Sequence, residues 1–231
     1  MKVVIILTLV FVSGCATQGT NTMQYSEGKT NKVENETTVS APYSQVWDTL
    51  VRDLAKSFYV INNIDKESRI INISFNSTDP VEFVDCGRST RTYTEGGVTE
   101  RYEYDVAAKT SFKVATSRQE HPSFSNYVLL TREPNLEGRS NIYVAPLVSD
   151  PTKTTVSVNT RYILSVKVKG EGFAKHVSGN IQTRGRIPED STTFTFNTNS
   201  VAKHDAGSGV TVTCSSKGKL ESDILDIIKA K

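Results

Sequence analysis

The sequence predicts an α+β fold in which one antiparallel β-sheet is packed by two helices, one near each end of the folded part of the chain. Apolar residues recur at helical spacing in one segment before residue 56 and in another after residue 218. Between them, apolar and polar residues alternate along most of the chain, as they do in half-buried strands. A helix with one apolar face needs an apolar partner, and one face of such a sheet provides it.

The two helix patterns have clear apolar stripes. The first follows Ala41-Pro42, and proline is favourable at a helix start because its missing N–H would have no partner there. Its apolar face carries Val46, Trp47, Leu50, Val51 and Leu54. The closing helix has a stripe of Leu220, Ile224, Ile227 and Ile228. Trp47 has apolar neighbours three and four residues later, so we interpret it as a core anchor rather than a ligand platform.

The strand pattern is strongest over residues 153–168, where apolar residues alternate with polar ones. Further strands are predicted at residues 32–39, 58–64, 69–75, 101–115, 126–132, 140–148, 192–197 and 209–215. Two stretches are predicted to be loops. One is residues 133–138, and the other is the stretch of glycines and cations over residues 169–188, which we interpret as a mobile loop.

The start of the sequence predicts export. Lys2 precedes an apolar run over residues 3–12, and two small residues and Cys15 follow. The run is shorter than the roughly 20 residues that a membrane-spanning helix needs. Basic, apolar and small residues in this order are typical of a secretory signal.

The run Val12-Ser13-Gly14-Cys15 resembles the lipobox of bacterial lipoproteins. This resemblance implies that residues 1–14 are a signal peptide that is removed, and that Cys15 then carries fatty acyl groups such as palmitate. Cys15 would anchor the protein to a membrane. Ala16, rather than Asp, follows the cysteine, which in that family implies the outer membrane, with the domain in the periplasm.

Two alternatives to the lipid anchor remain open. Cys15 could follow the cleavage site of an ordinary secretory signal, or the apolar run could be a buried strand of a cytosolic protein. Residues 15–35 are mostly small and polar, and we predict that they form a flexible tether. Residues 36–231 are predicted to form a single α+β domain.

The beginning of this domain resembles a known fold. Ala41-Pro42, Val46-Trp47 and Leu50 lead into Phe58-Tyr59-Val60 and a hairpin closed by residues 65–68. This run looks like the opening of helix-grip domains, which occur in outer-membrane lipoproteins such as BamC of the β-barrel assembly machinery. The resemblance implies a helix-grip-like arrangement of the sheet and helices.

Two cysteines remain for the folded domain, Cys86 and Cys214. Each lies in a strand-like context, and Cys214 shares the apolar face of its strand. Because an exported protein meets an oxidising environment, we predict a disulfide between them. The alternative is two unpaired, buried cysteines that act as small hydrophobic residues.

One cluster could recognise a partner. Arg88, Arg91, Arg101 and Tyr102 lie on neighbouring predicted strands, where they could bind an acidic partner or a glycan. The alternative is a hairpin whose arginines pair with Glu95, Glu100 and Glu103.

The sequence predicts no catalytic residue, no metal site and no cofactor. His121, His176 and His204 are each isolated, without a second ligand at metal-binding spacing. The formal net charge of +2, or +1 once Lys2 is removed, argues against general affinity for nucleic acid.

We therefore expect a membrane-anchored, non-enzymatic accessory or binding module whose partner is another envelope protein. One alternative is a carrier of small molecules or lipids that uses the groove between sheet and helix, beside Trp47 and Leu220. Another is an envelope hydrolase, for which the sequence contains no convincing pair of nucleophile and base.

Overall fold

Two very long strands organise the molecule. The computed structural model describes residues 18–116, 121, 123–207 and 209–229. The strands are β1 (Thr20–Ser26), β2 (Glu36–Val39), β3 (Val60–Asp65), β4 (Ile70–Ser77), β5 (Val84–Asp85), β6 (Arg88–Glu95), β7 (Val98–Asp105), β8 (Thr110–Ala115), β9 (Phe124–Leu147), β10 (Asp150–His176), β11 (Ile181–Asn197), β12 (Val201–Asp205) and β13 (Thr211–Ser216). The helices are α1 (Tyr43–Leu54) and α2 (Lys219–Lys229), with a 3₁₀ turn at Pro80–Glu82.

The predicted α+β fold with one sheet in a helix-grip arrangement is wrong. Strands make up 62% of the described residues and helices 13%, and the strands form three sheets. The central sheet has the order β11-β10-β9-β4-β3, with β2 added to β10 and β8 added to β9. A second sheet has the order β1-β6-β7, and a third has the order β12-β13-β5. The molecule is therefore a β-rich protein with two helices.

Both predicted loops belong mainly to strands. Residues 133–138 continue β9, because Pro134 lies between the stretches of β9 that pair with β4 and with β8, where a missing N–H is tolerated. Gly138 leaves space for the ring of Phe75, which a side chain there would meet. Residues 169–176 continue β10 and residues 181–188 begin β11, with register shifts beside Gly170 and Gly172, and residues 177–180 form the turn between the two strands. Glycines thus mark irregularities in a sheet here, rather than a loop.

The main core lies between the central sheet and the two helices. Trp47, Leu50 and Leu54 of α1 are buried, as are Leu220 and Ile224 of α2. The helices contact each other and β10. The prediction that Trp47 is a core anchor is confirmed, since its side chain is 4% exposed and contacts the ring of Tyr43. No helix within the described residues is both long and apolar enough to cross a bilayer.

The prediction of a free tether is wrong from Thr20 onward. β1 pairs with β6 along its whole length, from Thr20 opposite Thr94 to Ser26 opposite Arg88. Backbone hydrogen bonds hold this strand, so it needs few apolar residues. Val33, later in the same stretch, is buried and donates its N–H to Asn199. Residues 15–17 lie outside the described residues.

A disulfide attaches the third sheet to the start of the second. The sulfur atoms of Cys86 and Cys214 lie at bonding distance, and both residues are buried. Cys86 stands between β5 and β6, and Cys214 belongs to β13. Next to it, Tyr25 of β1 donates to the carbonyl of Cys86 at 3.2 Å and accepts from the N–H of Thr213 at 3.0 Å.

Candidate functional site

A cleft of about 320 Å³ lies where the three sheets meet. Its walls are mostly apolar and come from β8, β9, β10, β11 and β13: Phe112, Leu130, Val166, Val168, Phe194 and Val212. This volume is at the small end of the range for ligand pockets, which are typically apolar with a few polar groups. The polar groups that face this cleft therefore decide what it can hold.

The first of these groups is Arg91. Alternation along β6 places Ser89 and Tyr93 on the buried face, with Arg91 between them. The Nε of Arg91 donates to the hydroxyl of Tyr104 at 2.8 Å. Its guanidinium carbon lies 4.6 Å from the centre of the Phe112 ring. A hydrogen bond and a cation–π contact thus hold this side chain in the cleft.

The second group is Arg132, near the middle of β9. Its Nη2 donates to the carbonyl of Val106 at 3.0 Å, and its guanidinium carbon lies 5.5 Å from the centre of the Tyr104 ring. Tyr104 therefore lies between the two arginines. Among the described residues no carboxylate lies within 4.0 Å of either guanidinium.

The pKa of Tyr104 responds to this positive charge. Burial of the side chain raises the pKa, but the hydrogen bond from Ser89 and the charges of Arg91 and Arg132 outweigh burial. The net result is a pKa below the ordinary value of 10.0. The lowered pKa of this buried tyrosine thus reflects the Ser89 hydrogen bond first and the two nearby positive charges second.

Each guanidinium retains unused donors. An arginine has five N–H donors, and each of these two makes one hydrogen bond to the described part of the protein. The acidic residues nearest the cleft, Asp190 and Asp205, are exposed at its rim together with His204. The interior is thus apolar and positively charged, which suits an anionic group on an apolar body.

The structure divides the predicted partner cluster. Only Arg91 enters the cleft. Arg88 pairs with Asp105 at 3.4 Å, and Arg101 pairs with Glu103 at 2.6 Å. Tyr102 donates to Glu100 at 2.5 Å. The alternative of loosely paired hairpin charges therefore describes Arg101 well, whereas Arg88 pairs with an aspartate.

Sequence reasoning missed Arg132. It lies on the predicted strand 126–132, where Val128, Leu130 and Arg132 share one face of the alternation. The available signal was that Arg132, a charged residue, occupies a position on the apolar face of this strand. Nothing in the sequence joined it to Arg91, because the two strands belong to different sheets.

The groove beside Trp47 and Leu220 is closed. These side chains are 4% and 0% exposed, and both belong to the main core. A carrier needs open space between sheet and helix, so this close packing argues against ligand binding there.

Two of the three histidines, His121 and His176, lie against the ring of Phe124, whereas His204 lies elsewhere. His121 and His176 lie near the ends of β9 and β10, and His204 lies at the rim of the cleft. In the described part of the chain, no group of three or more His, Cys, Asp or Glu residues is placed to hold a metal ion. The predicted lipidation site Cys15 and the lipobox residues Val12, Ser13 and Gly14 lie outside the described residues.

No protein-family model matches the chain, and no curated protein or solved structure matches it significantly. The resemblance to outer-membrane lipoproteins such as BamC stays a prediction, without the helix-grip arrangement that the fold excludes.

Proposed function

We propose that the chain is an exported, lipid-anchored and non-enzymatic binding protein of the bacterial envelope, and that it holds an anionic group in the cleft between its three sheets. The observation that supports the binding role is the pair Arg91 and Arg132. Both face an apolar cleft, and neither pairs with a carboxylate among the described residues. Guanidinium groups bind carboxylate, phosphate and sulfonate groups through parallel hydrogen bonds.

The proposed location rests on separate observations. Acylated Cys15 attaches the protein to the membrane, and Ala16 favours the outer membrane with the domain in the periplasm. The buried pair Cys86 and Cys214 supports an oxidising compartment, where disulfides form and persist. Another envelope protein stays the predicted partner, and an acidic side chain or terminal carboxylate of such a protein has the chemistry that suits the cleft.

The anchor is tested by intact-mass measurement of the protein extracted in detergent from its native membrane. We expect a chain that begins at Cys15 and carries the added mass of the acyl groups. A chain without fatty acyl groups at Cys15 would contradict the anchor, although it would leave the cleft untouched.

The cleft is tested with two fluorescent probes of similar apolar body. 1-Anilinonaphthalene-8-sulfonate carries a negative charge, and N-phenyl-1-naphthylamine does not. We expect the anionic probe to bind the full-length protein more tightly. Arg91→Gln should weaken that binding about tenfold, because a hydrogen bond to a charged group contributes about 1.5–3 kcal/mol.

The matched control is Arg88→Gln, on the same strand but paired with Asp105 outside the cleft. We expect this variant to bind both probes like the unmodified protein. Equal affinity for the charged and the neutral probe, or equal losses in Arg88→Gln and Arg91→Gln, would rule out an anion site in the cleft.

A further inference from the structure

The described chain begins at an end of the molecule where several strands also reverse. The amide of Gln18 donates to the carbonyl of Thr116 at 2.5 Å, and Asn21 bonds both backbone groups of Ala115. Glu95 bonds the hydroxyl of Ser125, and its carboxylate lies 3.4 Å from the Nζ of Lys175. We call residues 18–20, 95–98, 123–125 and 175–181 the proximal end.

Three apolar side chains project from the turns of the proximal end. Val98 is 66% exposed, Val177 is 53% exposed and Ile181 is 57% exposed. Lys175 lies beside them with 44% of its side chain exposed, and the guanidinium of Arg184 lies 5.7 Å from the Phe124 ring. Exposed apolar side chains beside cations favour contact with lipid headgroups, and here the apolar side chains contribute most because Lys175 also pairs with Glu95.

The chain between Cys15 and β1 is short. Four residues lie between Cys15 and Thr20, which makes five steps from one Cα to the next, and an extended chain spans at most about 3.6 Å per step. The Cα of Thr20 can therefore lie no more than about 18 Å from the Cα of Cys15, the residue that would carry the lipid. A tether of this length cannot hold the proximal end far from the bilayer.

We propose that the proximal end rests directly on the membrane, with Val98, Val177 and Ile181 inserted among the lipid headgroups. This inference rests on the proposed acylation of Cys15, because the short connection brings this end to the bilayer. The long ribbon of β9 and β10 then points away from the membrane. Its other end, the turn at Val148, becomes the most distant part of the ribbon.

The test uses the acylated full-length protein in vesicles of phosphatidylethanolamine and phosphatidylglycerol. Val177→Cys places an environment-sensitive nitrobenzoxadiazole label at the proximal end. Val148→Cys is the matched control, because Val148 is 99% exposed at the other end of the same ribbon. We expect the label at residue 177 to gain several-fold in emission and to be quenched by spin-labelled lipid, whereas the label at residue 148 does neither.

The protein could co-float with the vesicles while the labels at residues 177 and 148 respond alike. That result would overturn the proposed orientation but would be consistent with the acyl anchor. A second measurement separates the surface from the anchor. It uses the chain from residue 15 with Cys15→Ser, which retains every described residue.

We expect weak partition of this unacylated chain onto the same vesicles, reduced about tenfold when Val98, Val177 and Ile181 are all replaced by serine. No partition, or partition that the three replacements leave unchanged, would overturn the membrane contact even if the acyl anchor is found.

Discussion

The two halves of the β9–β10 ribbon are covered in different ways. In the helix-covered half, residues 134–147 and 150–165, six inward side chains are fully buried in the core shared with the helices: Leu136, Ile142, Val144, Val156, Val158 and Leu164. In the cleft half, residues 124–132 and 166–176, Leu130 is only half-buried and Arg132 faces the cleft. The helix-covered half forms a close-packed hydrophobic core, whereas the cleft half contains an open cleft and charged side chains.

This difference indicates that the helix-covered half provides stability and that the cleft half provides the binding site. Close packing of apolar side chains contributes most of the free energy of folding, and cavities and uncompensated charge reduce it. A protein can tolerate such features in one region when another supplies the stability. We therefore expect substitutions in the two halves to have different consequences.

The largest effect is expected in the helix-covered half. Leu136→Ala should lower the free energy of unfolding by about 4 kcal/mol, because Leu136 is fully buried and its removal leaves a cavity. Leu130→Ala, on the same face of the same strand in the cleft half, should cost less, about 1–2 kcal/mol, because Leu130 is only half-buried and lines an open cleft. Urea unfolding, followed by the fluorescence of Trp47, measures both. Equal losses would mean that the ribbon has one uniform core.

Loss of the disulfide should have the next largest effect. Cys86 and Cys214 are separated by 128 positions, so their bond restricts a long loop in the unfolded chain. Replacing both with alanine should lower the unfolding free energy by about 3 kcal/mol. It should also weaken binding of the anionic probe, because β13 supplies one wall of the cleft. Unchanged stability under reducing conditions would show that the third sheet is held by packing alone.

A smaller effect is expected in the pKa values of two buried tyrosines, Tyr162 and Tyr104, one in each half. In the helix-covered half, burial and the negative charge of Glu221, whose carboxylate accepts from the Tyr162 hydroxyl at 2.9 Å, raise the pKa of Tyr162. For Tyr104, burial raises the pKa, but the Ser89 hydrogen bond and the two arginines outweigh it, so the pKa lies below 10.0. Tyrosine ¹³Cζ resonances should therefore show Tyr104 ionising first.

The sign of the pH dependence follows from these directions. Because the pKa of Tyr104 is lowered by folding, its ionisation adds stability as the pH rises towards 10, and the contribution is lost as the pH falls through its folded pKa. Tyr162 has a raised pKa and does the opposite above pH 10. Arg132→Gln should raise the pKa of Tyr104 without moving that of Tyr162. A Tyr104 that ionises together with Tyr162 would contradict the positive field in the cleft.

The local pattern predicted much of the helix-covered half. The apolar stripes of α1 and α2 and the alternation along residues 153–168 reflect burial of one face, and residues close in sequence are enough to reveal such burial. Pro134 and Gly170 misled the prediction, because both residues usually interrupt strands. Here Pro134 pairs with β10 on one side and has no neighbouring strand on the side shared by β4 and β8, and Gly170 lies at a register shift. The β-rich fold in three sheets depends on pairings between distant segments, such as β1 with β6.

The cleft was less predictable for the same reason. Arg91 belonged to a visible cluster, but its relation to Arg132 exists only after β6 and β9 have come together. Single-sequence patterns report which face a residue takes on its own strand. They do not report which strands face each other across a gap.

The double variant Arg91→Gln/Arg132→Gln tests most directly whether the cleft half serves binding rather than stability. The affinity for 1-anilinonaphthalene-8-sulfonate and the free energy of unfolding are measured on the same protein. Our account predicts that affinity falls by more than about tenfold, whereas the unfolding free energy changes by no more than about 1 kcal/mol. Unchanged affinity, or a loss of stability comparable to that of Leu136→Ala, would contradict it.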